Sequence, residues 1–212
     1  MAMRVNAYIL AGGRSSRMGR DKARLELGGE RLLERAVRQA RAVAERVSIV
    51  AAAGDNADDW PVRVICDRLS EAGPLAGIFT ALHDSHSEWN LILAVDQVVA
   101  PRTLLELLIR KASEAAPNCH VVVPMIAGRL QPLCAVYHKR FAMQAWQGLQ
   151  MGDRKIAVLF EEAKALIVSD DDLKDAGIDT ASLYNVNTPE EFEAAKRALE
   201  CAAPEADPQV KR

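Results

Sequence analysis

The sequence predicts an α/β protein of three layers, with a mainly parallel sheet sandwiched between helices. Three observations carry that expectation. Short apolar runs bounded by turn-forming residues recur at Val5–Leu10, Val47–Val50, Val62–Ile65, Leu91–Val95, Val121–Pro124, Cys134–Tyr137 and Ala165–Val168. Each is continuous rather than alternating, which is the pattern of a strand covered on both faces. Helical patterns lie between them, and strand alternating with helix is the signature of crossover-connected parallel strands.

The first run stops abruptly at Gly12-Gly13. Leu25-Glu26-Leu27-Gly28-Gly29 reads as a small extended piece that turns back at its glycine pair. Leu32, Leu33, Ala36, Val37 and Ala40 then fall at helical spacing, with Glu34, Arg35, Arg38 and Arg41 on the other faces. Gly73-Pro74-Leu75-Ala76-Gly77 leads into a helix through Ile78, Phe79, Ala81 and Leu82. Leu104, Leu105, Leu107 and Leu108 mark another, opening near Thr103 and closing before Pro117. Thr188-Pro189-Glu190-Glu191 supplies a cap, a proline at the first helical position and a glutamate three after the cap, so a helix is expected to about Glu200. Residues 201–212 hold two prolines and little apolar periodicity, which suits a disordered tail. No repeat or linker divides the chain, so residues 1–200 are expected to form one domain.

Composition narrows the function. A net charge of −2, from 27 basic and 29 acidic residues, argues against general nucleic-acid binding. The four cysteines (Cys66, Cys119, Cys134 and Cys201) have no metal-type spacing and read as free thiols of a reducing compartment. The apolar stretch before Arg14 is too short for a signal peptide, and no run approaches the ~20 residues of a membrane span. A soluble, cytoplasmic protein is expected. His83, His86, His120 and His138 show no partnered spacing and read as incidental surface residues.

The most informative stretch is Tyr8 to Lys22, Y-I-L-A-G-G-R-S-S-R-M-G-R-D-K. Glycines at a strand end let main-chain N–H groups approach a ligand closely, and such a concavity favours anions. Arg14, Arg17 and Lys22 add positive charge, so the stretch reads as a polyphosphate cradle. It is neither a P-loop, since Gly19 is followed by Arg20 and Asp21, nor a dinucleotide fingerprint, since Gly13 and Gly19 are too far apart. Asp67 and Asp96 each follow another apolar run. In an open α/β sheet, ligands bind beyond the carboxyl ends of the strands, so all three motifs should meet on one edge. One carboxylate beside substrate phosphates suffices to hold Mg²⁺, and Asp96 is the candidate.

Leu10, Ala11, Gly12, Gly13, Ser15, Arg17, Met18, Gly19, Asp21 and Lys22 resemble the L-A-G-G-x-S-x-R-M-G-x-D-K signature of the nucleotidyltransferases that act on the molybdenum cofactor. The resemblance extends over roughly residues 6–199. It implies a Rossmann-like sheet of the nucleotide-diphospho-sugar transferase type. It also implies transfer of GMP from GTP to the terminal phosphate of molybdopterin, with release of pyrophosphate. In that scheme Leu10, Ala11, Gly12 and Gly13 form the nucleotide cradle, and Arg17 and Lys22 hold the triphosphate. Asp96 would bind Mg²⁺, Asp67 would contact the nucleotide, and Gly73–Gly77 would line the base site. Arg129–Leu133, Gly152–Lys155 and the pair Asn185 and Asn187, in N-V-N-T-P-E-E, belong to the molybdopterin half. Proteins of molybdenum cofactor synthesis, or molybdoenzyme chaperones, are the implied partners.

The chain departs from the family twice. Asp96-Gln97-Val98 lacks the proline usually found two residues after the aspartate. Val50-Ala51-Ala52-Ala53 stands where relatives carry an asparagine. A cytidylyltransferase is the rival reading, but those relatives tend to have Leu-Ala-Ala-Gly where this chain has Leu10-Ala11-Gly12-Gly13. A non-catalytic GTP-binding partner is a second rival, and retention of both Lys22 and Asp96 argues against it.

Overall fold

Strand β1 (Asn6–Leu10) runs through the middle of a mixed sheet and pairs in parallel on both sides. The computed structural model describes residues 3–11, 22–55, 59–67, 69, 72–97, 100–152, 155–180 and 192–193. A short hairpin of β2 (Glu26–Leu27) and β3 (Glu30–Arg31) follows, turning at Gly28-Gly29, where both φ angles are positive. Helix α1 (Leu32–Arg41) then leads to β4 (Arg46–Ala52) and β5 (Arg63–Asp67). Helix α2 (Pro74–Asp84) returns the chain to β6 (Trp89–Ala94), on the other side of β1. Helix α3 (Arg102–Ser113), β7 (Val121–Ile126), β8 (Arg129–Leu130), β9 (Cys134–His138), α4 (Phe141–Met151), β10 (Leu166–Val168) and α5 (Asp170–Asp175) complete the order.

The strand order is β10-β7-β9-β6-β1-β4-β5, with β8 folded back on β7. The stretch β6-β1-β4-β5 is entirely parallel, and β10 is parallel to β7. Strand β9 runs antiparallel between β6 and β7. All seven apolar runs are strands of this sheet. Val95 is the exception within its run, since it already belongs to the turn after β6.

Alternation within the strands assigns the two faces. Ala7 and Ile9 pack with Leu33 and Val37 of α1 and Leu104 and Leu108 of α3. Tyr8 and Leu10 pack with Leu75 and Ile78 of α2 and Phe141 and Ala145 of α4. Both faces of β1 are thereby removed from water, which explains why its sequence is continuously apolar. Among the described residues no helix is long and apolar enough to cross a membrane.

Helix α4, like the short α5, was not signalled by periodicity. Its sequence, FAMQAWQGLQM, places Met143, Trp146 and Met151 on the exposed side, so no polar stripe contrasts with the buried one. The expectation of incidental histidines fails for two of the four. His120 and His138 stack at 5.8 Å, Trp89 meets the His138 ring edge-on at 5.0 Å, and His120 Nδ1 lies 3.1 Å from Gln144 Oε1. Strand pairing across β7 and β9 makes these contacts, so linear spacing could not show them. Burial, reinforced by the Arg140 charge, lowers the His138 pKa. Its Nδ1 accepts the Arg140 N–H at 3.1 Å. Cys119 and Cys134 are buried free thiols and Cys66 is an exposed one, while Cys201 lies outside the described residues. Burial raises the Cys134 pKa to about 12.

Candidate active site at the carboxyl edge of the sheet

The chain goes from β1 out to β4 and β5 on one side, then crosses back to β6 on the other. The gap between the ends of β1 and β6 is therefore the topological switch point, where open parallel sheets bind ligands. Leu10 pairs with Val50 and with Ala94. One step further, the Ala11 N–H donates to the Val50 carbonyl at 2.9 Å, and the Val95 N–H donates to the Leu10 carbonyl at 3.2 Å. The sheet thus fixes the backbone on both sides of β1 up to the point where the glycine loop begins. Gly12, Gly13 and Arg17 lie outside the described residues. Lys22 opens a 3₁₀ turn, Lys22–Arg24, whose Ala23 is buried in the core beside α1. The Lys22 side chain, like Asn185 and Asn187, is outside the described set.

Asp96 is half-buried in the turn two residues past the last β6 residue. It sits across the switch point from Ala11. Its neighbour Gln97 is almost fully buried, and the Gln97 N–H donates to the Ala94 carbonyl at 3.1 Å. A buried amide follows the aspartate in the loop that lacks the family's proline. A carboxylate at an accessible strand end suits a hard divalent cation that arrives with phosphate oxygens. Among the described residues no group of three or more metal-ligating side chains forms a cage of its own.

Asp67 ends β5, opposite Ala52 of β4, and is 5% exposed. Its Oδ1 accepts from the Leu69 N–H at 2.9 Å and from the Thr80 hydroxyl at 3.0 Å. A carboxylate buried this deeply needs such donors, and they fix its orientation. Since β1 and β4 intervene between β6 and β5, three strand spacings separate Asp67 from Asp96 by roughly 14 Å along the edge. The two aspartates therefore cannot share one ion.

Helix α2 begins on this edge. Gly73 takes φ +83° before Pro74, a conformation that glycine adopts without strain. Gly77 lies directly over the end of β1, and a Cβ there would stand 3.3 Å from both Leu10 methyls. The glycines of Gly73-Pro74-Leu75-Ala76-Gly77 thus open the helix and seat it on the strand that carries the loop. At the end of β4, where an asparagine was missing, the Ala52 N–H donates to Asp55 Oδ2 at 2.9 Å. A carboxylate from three residues further on fills the strand end.

The second half of the edge is built around Arg129 to Leu133. The β7–β8 turn has positive φ at Ala127 and Gly128, and both N–H groups donate to the Asp170 carboxylate, at 3.0 and 3.3 Å. Arg129 is exposed beside that turn. The Tyr137 hydroxyl donates to the Pro132 carbonyl at 2.8 Å, and the Ala94 N–H donates to the Leu133 carbonyl at 2.8 Å. Burial raises the Tyr137 pKa well above its ordinary value, so the hydroxyl remains a donor. The last bond ties this segment to the end of β6, next to Asp96. Gly152 takes a left-handed φ at the end of α4 and Lys155 is exposed, while Asp153 and Arg154 lie outside the described residues.

The structure therefore brings Leu10, Ala11, Asp67 and Asp96 to one edge, together with the start of α2 and the Arg129–Leu133 segment. Sequence reasoning missed Thr80, Gln97, Asp55 and Asp170. Each acts on a residue that only the fold makes its neighbour, or sits in a loop whose course the sequence left open.

Residues 7–166 match the family model described as the MobA-like NTP transferase domain. A probable molybdenum cofactor guanylyltransferase of Natranaerobius thermophilus is 31% identical, over 94% of this chain and 98% of that protein. A second, of Carboxydothermus hydrogenoformans, is 33% identical over 87% and 91%. The crystal structure of molybdopterin-guanine dinucleotide biosynthesis protein A from Archaeoglobus fulgidus superposes with a TM-score of 0.80 at 23% identity, covering 93% of this chain and all of that one. A 2-C-methyl-D-erythritol 4-phosphate cytidylyltransferase from Thermus thermophilus shares the fold at a TM-score of 0.66 and 16% identity. Taken with the switch point between β1 and β6, these matches show that the chain belongs to the MobA-like NTP transferase family.

Proposed function

We propose that this protein is a molybdenum cofactor guanylyltransferase, which joins GMP from GTP to the terminal phosphate of molybdopterin and releases pyrophosphate. The observation that carries the reading is that Leu10-Ala11, which leads in sequence into Gly12-Gly13, and Asp96 stand on either side of the β1/β6 switch point. Near full-length similarity to relatives of that name supports it.

The reaction breaks the bond between the α-phosphorus and the bridging oxygen of GTP. A phosphate oxygen of the acceptor attacks the α-phosphorus, and pyrophosphate leaves with the bridging oxygen. No side-chain nucleophile is required. What is required is that two polyanions be held in line and that charge on the leaving group be stabilised. Backbone N–H groups after Ala11, with Arg17 and Lys22, would hold the triphosphate. Asp96 would hold Mg²⁺, which when bound offsets charge on the phosphate oxygens. Asp67, fixed by Thr80, would contact the nucleoside roughly 14 Å along the edge, a span that suits the length of a nucleoside triphosphate. Arg129–Leu133, Gly152–Lys155, Asn185 and Asn187 would receive molybdopterin.

The test is incubation with molybdopterin, Mg²⁺ and each of the four NTPs, followed by mass analysis and pyrophosphate release. A guanine dinucleotide product with one pyrophosphate per turnover is expected. GTP binding without pyrophosphate release would reduce the protein to a nucleotide-binding partner.

A further inference from the structure

The opposite edge of the sheet, where β1, β4 and β5 begin, holds a polar cavity of about 400 Å³. Along β4, roughly 20 Å separates Arg46 at this edge from Ala52 at the carboxyl edge. Sheet register builds the floor. Tyr8 pairs with Ser48, and Ser48 with Arg63, so one row crosses three strands beneath the end of α2. Arg46 stands two residues before Ser48 and on the same face. Ser48 is 8% exposed, ahead of the apolar Ile49, Val50 and Ala51, and its hydroxyl has no hydrogen-bond partner among the described residues. A buried hydroxyl left unpaired is costly, and the cavity is where its partner must come from. The charges around it do not balance. Asp84 accepts two bonds from Arg63, at 2.7 and 2.8 Å, and one from the Tyr8 hydroxyl at 3.3 Å. Glu45 faces Arg4 at 3.4 Å. Arg46 pairs with no carboxylate among the described residues, and Arg41 and His86 also line the cavity.

We infer that this cavity is a second anion site, which holds the phosphate group of a small molecule apart from the carboxyl edge. The Arg46 guanidinium offers a planar fork of donors that matches two phosphate oxygens. The Ser48 hydroxyl supplies a further donor from the floor. Arg63 already neutralises Asp84, so that carboxylate does not repel the ligand. The charge of Arg46 and Arg41, and of His86 when protonated, is left for an anion to match. A neutral or cationic ligand would leave Arg46 uncompensated. The cavity also has the size of a site for a small organic molecule, rather than for a bare ion. Asn6 and Tyr8 border the remaining space and would face the part of the ligand beyond its phosphate.

Titration of the ¹⁵N-labelled full chain with inorganic phosphate, followed amide by amide, tests this. The amides of Asn6, Tyr8, Arg46, Ser48 and Arg63 should shift together along one saturating curve. Arg46→Gln should weaken that curve by roughly tenfold or more, and Arg46→Lys should recover part of the loss. Ser48→Ala should weaken it by roughly threefold or more. The amides of Ala11 and Val95 report the carboxyl edge, and in these variants they should respond as in the parent protein, which also shows that the fold is intact. Pyrophosphate and GMP, titrated in the same way, separate free from esterified phosphate, and the tighter of them at the amino edge identifies the source. Amino-edge amides that stay unmoved to tens of millimolar of all three ligands would overturn the inference. So would shifts reproduced by potassium chloride at the same ionic strength, or a curve unchanged in both Arg46→Gln and Ser48→Ala.

Discussion

The Thr80 hydroxyl donates to Asp67 Oδ1 at 3.0 Å, linking the middle of α2 to the end of β5. With the Leu69 N–H on the same oxygen, it fixes a carboxylate that is nearly closed off from water. The bond orients Asp67 rather than touching the ligand, so its loss should appear in nucleotide binding. Thr80→Val keeps the shape and removes the donor. A hydrogen bond to a charged group is worth about 1.5–3 kcal/mol. The KM for GTP should rise by roughly tenfold or more on that scale, with kcat changed little. Thr80→Ser should restore most of the loss. A Thr80→Val enzyme with unaltered KM would mean that Asp67 serves the loop alone.

Two glycines differ in how tightly they are packed, and the difference orders their alanine variants. A Cβ at Gly148 would meet Leu159 at 3.1 and 3.3 Å and Leu75 at 3.5 Å, in the α2–α4 contact. The nearest atoms to a Cβ at Gly77 would be those of Leu10, at 3.3 Å or more. Alanine gains about 1 kcal/mol in helix propensity, and overpacking costs about 1–3 kcal/mol. Gly148→Ala should therefore lower the thermal midpoint more than Gly77→Ala. Activity should rank the other way, because Leu10 carries the nucleotide loop. Equal loss of activity in both variants would disconnect Gly77 from the site.

Asp172 gives the fold an acid limit. The Ser169 hydroxyl and N–H and the Lys111 ammonium hold its pKa down to about 2. The unfolded value is about 3.9, so the charged form stabilises the native state fully above that pH. The contribution is lost as pH falls toward 2. Ser169→Ala should raise the native pKa and move the acid-unfolding midpoint to higher pH. At pH 7 it should also cost about 1 kcal/mol through the lost helix cap. Circular dichroism between pH 2 and 7 reads both effects, and an unmoved acid midpoint would assign the limit to other carboxylates.

For Asp96→Asn, turnover should fall by at least two orders of magnitude while the far-UV spectrum stays native. Asp67 lies too far along the edge to take over an ion placed at Asp96. Raising Mg²⁺ to tens of millimolar should restore only a small part of the activity. Wild-type turnover in this variant would remove Asp96 from the metal site.

The sheet was legible because most of its strands hold a short, nearly continuous apolar run, as strands between two helical layers do; Ser48 in β4 and Asn90 in β6 are buried polar exceptions. The strand-end position of Asp96 was legible because a change from apolar residues to a carboxylate at the end of a run shows in one line of sequence. What escaped was set by contacts between distant segments. Thr80 reaches Asp67 across thirteen positions, and Asp170 reaches Ala127 across forty-three. The antiparallel direction of β9 escaped for the same reason, because its residues look like those of a parallel strand. Helix α4 was hidden because Met143, Trp146 and Met151 on its exposed side leave no polar stripe to contrast with the buried one.

The most direct measurement of the central claim is nucleotide selectivity in product formation. With molybdopterin and Mg²⁺, kcat/KM for GTP should exceed that for CTP by roughly 10–200-fold, the range that small differences in a pocket supply. The dinucleotide product should carry guanine. Equal turnover of GTP and CTP, or a cytosine product in excess, would contradict the guanylyltransferase assignment.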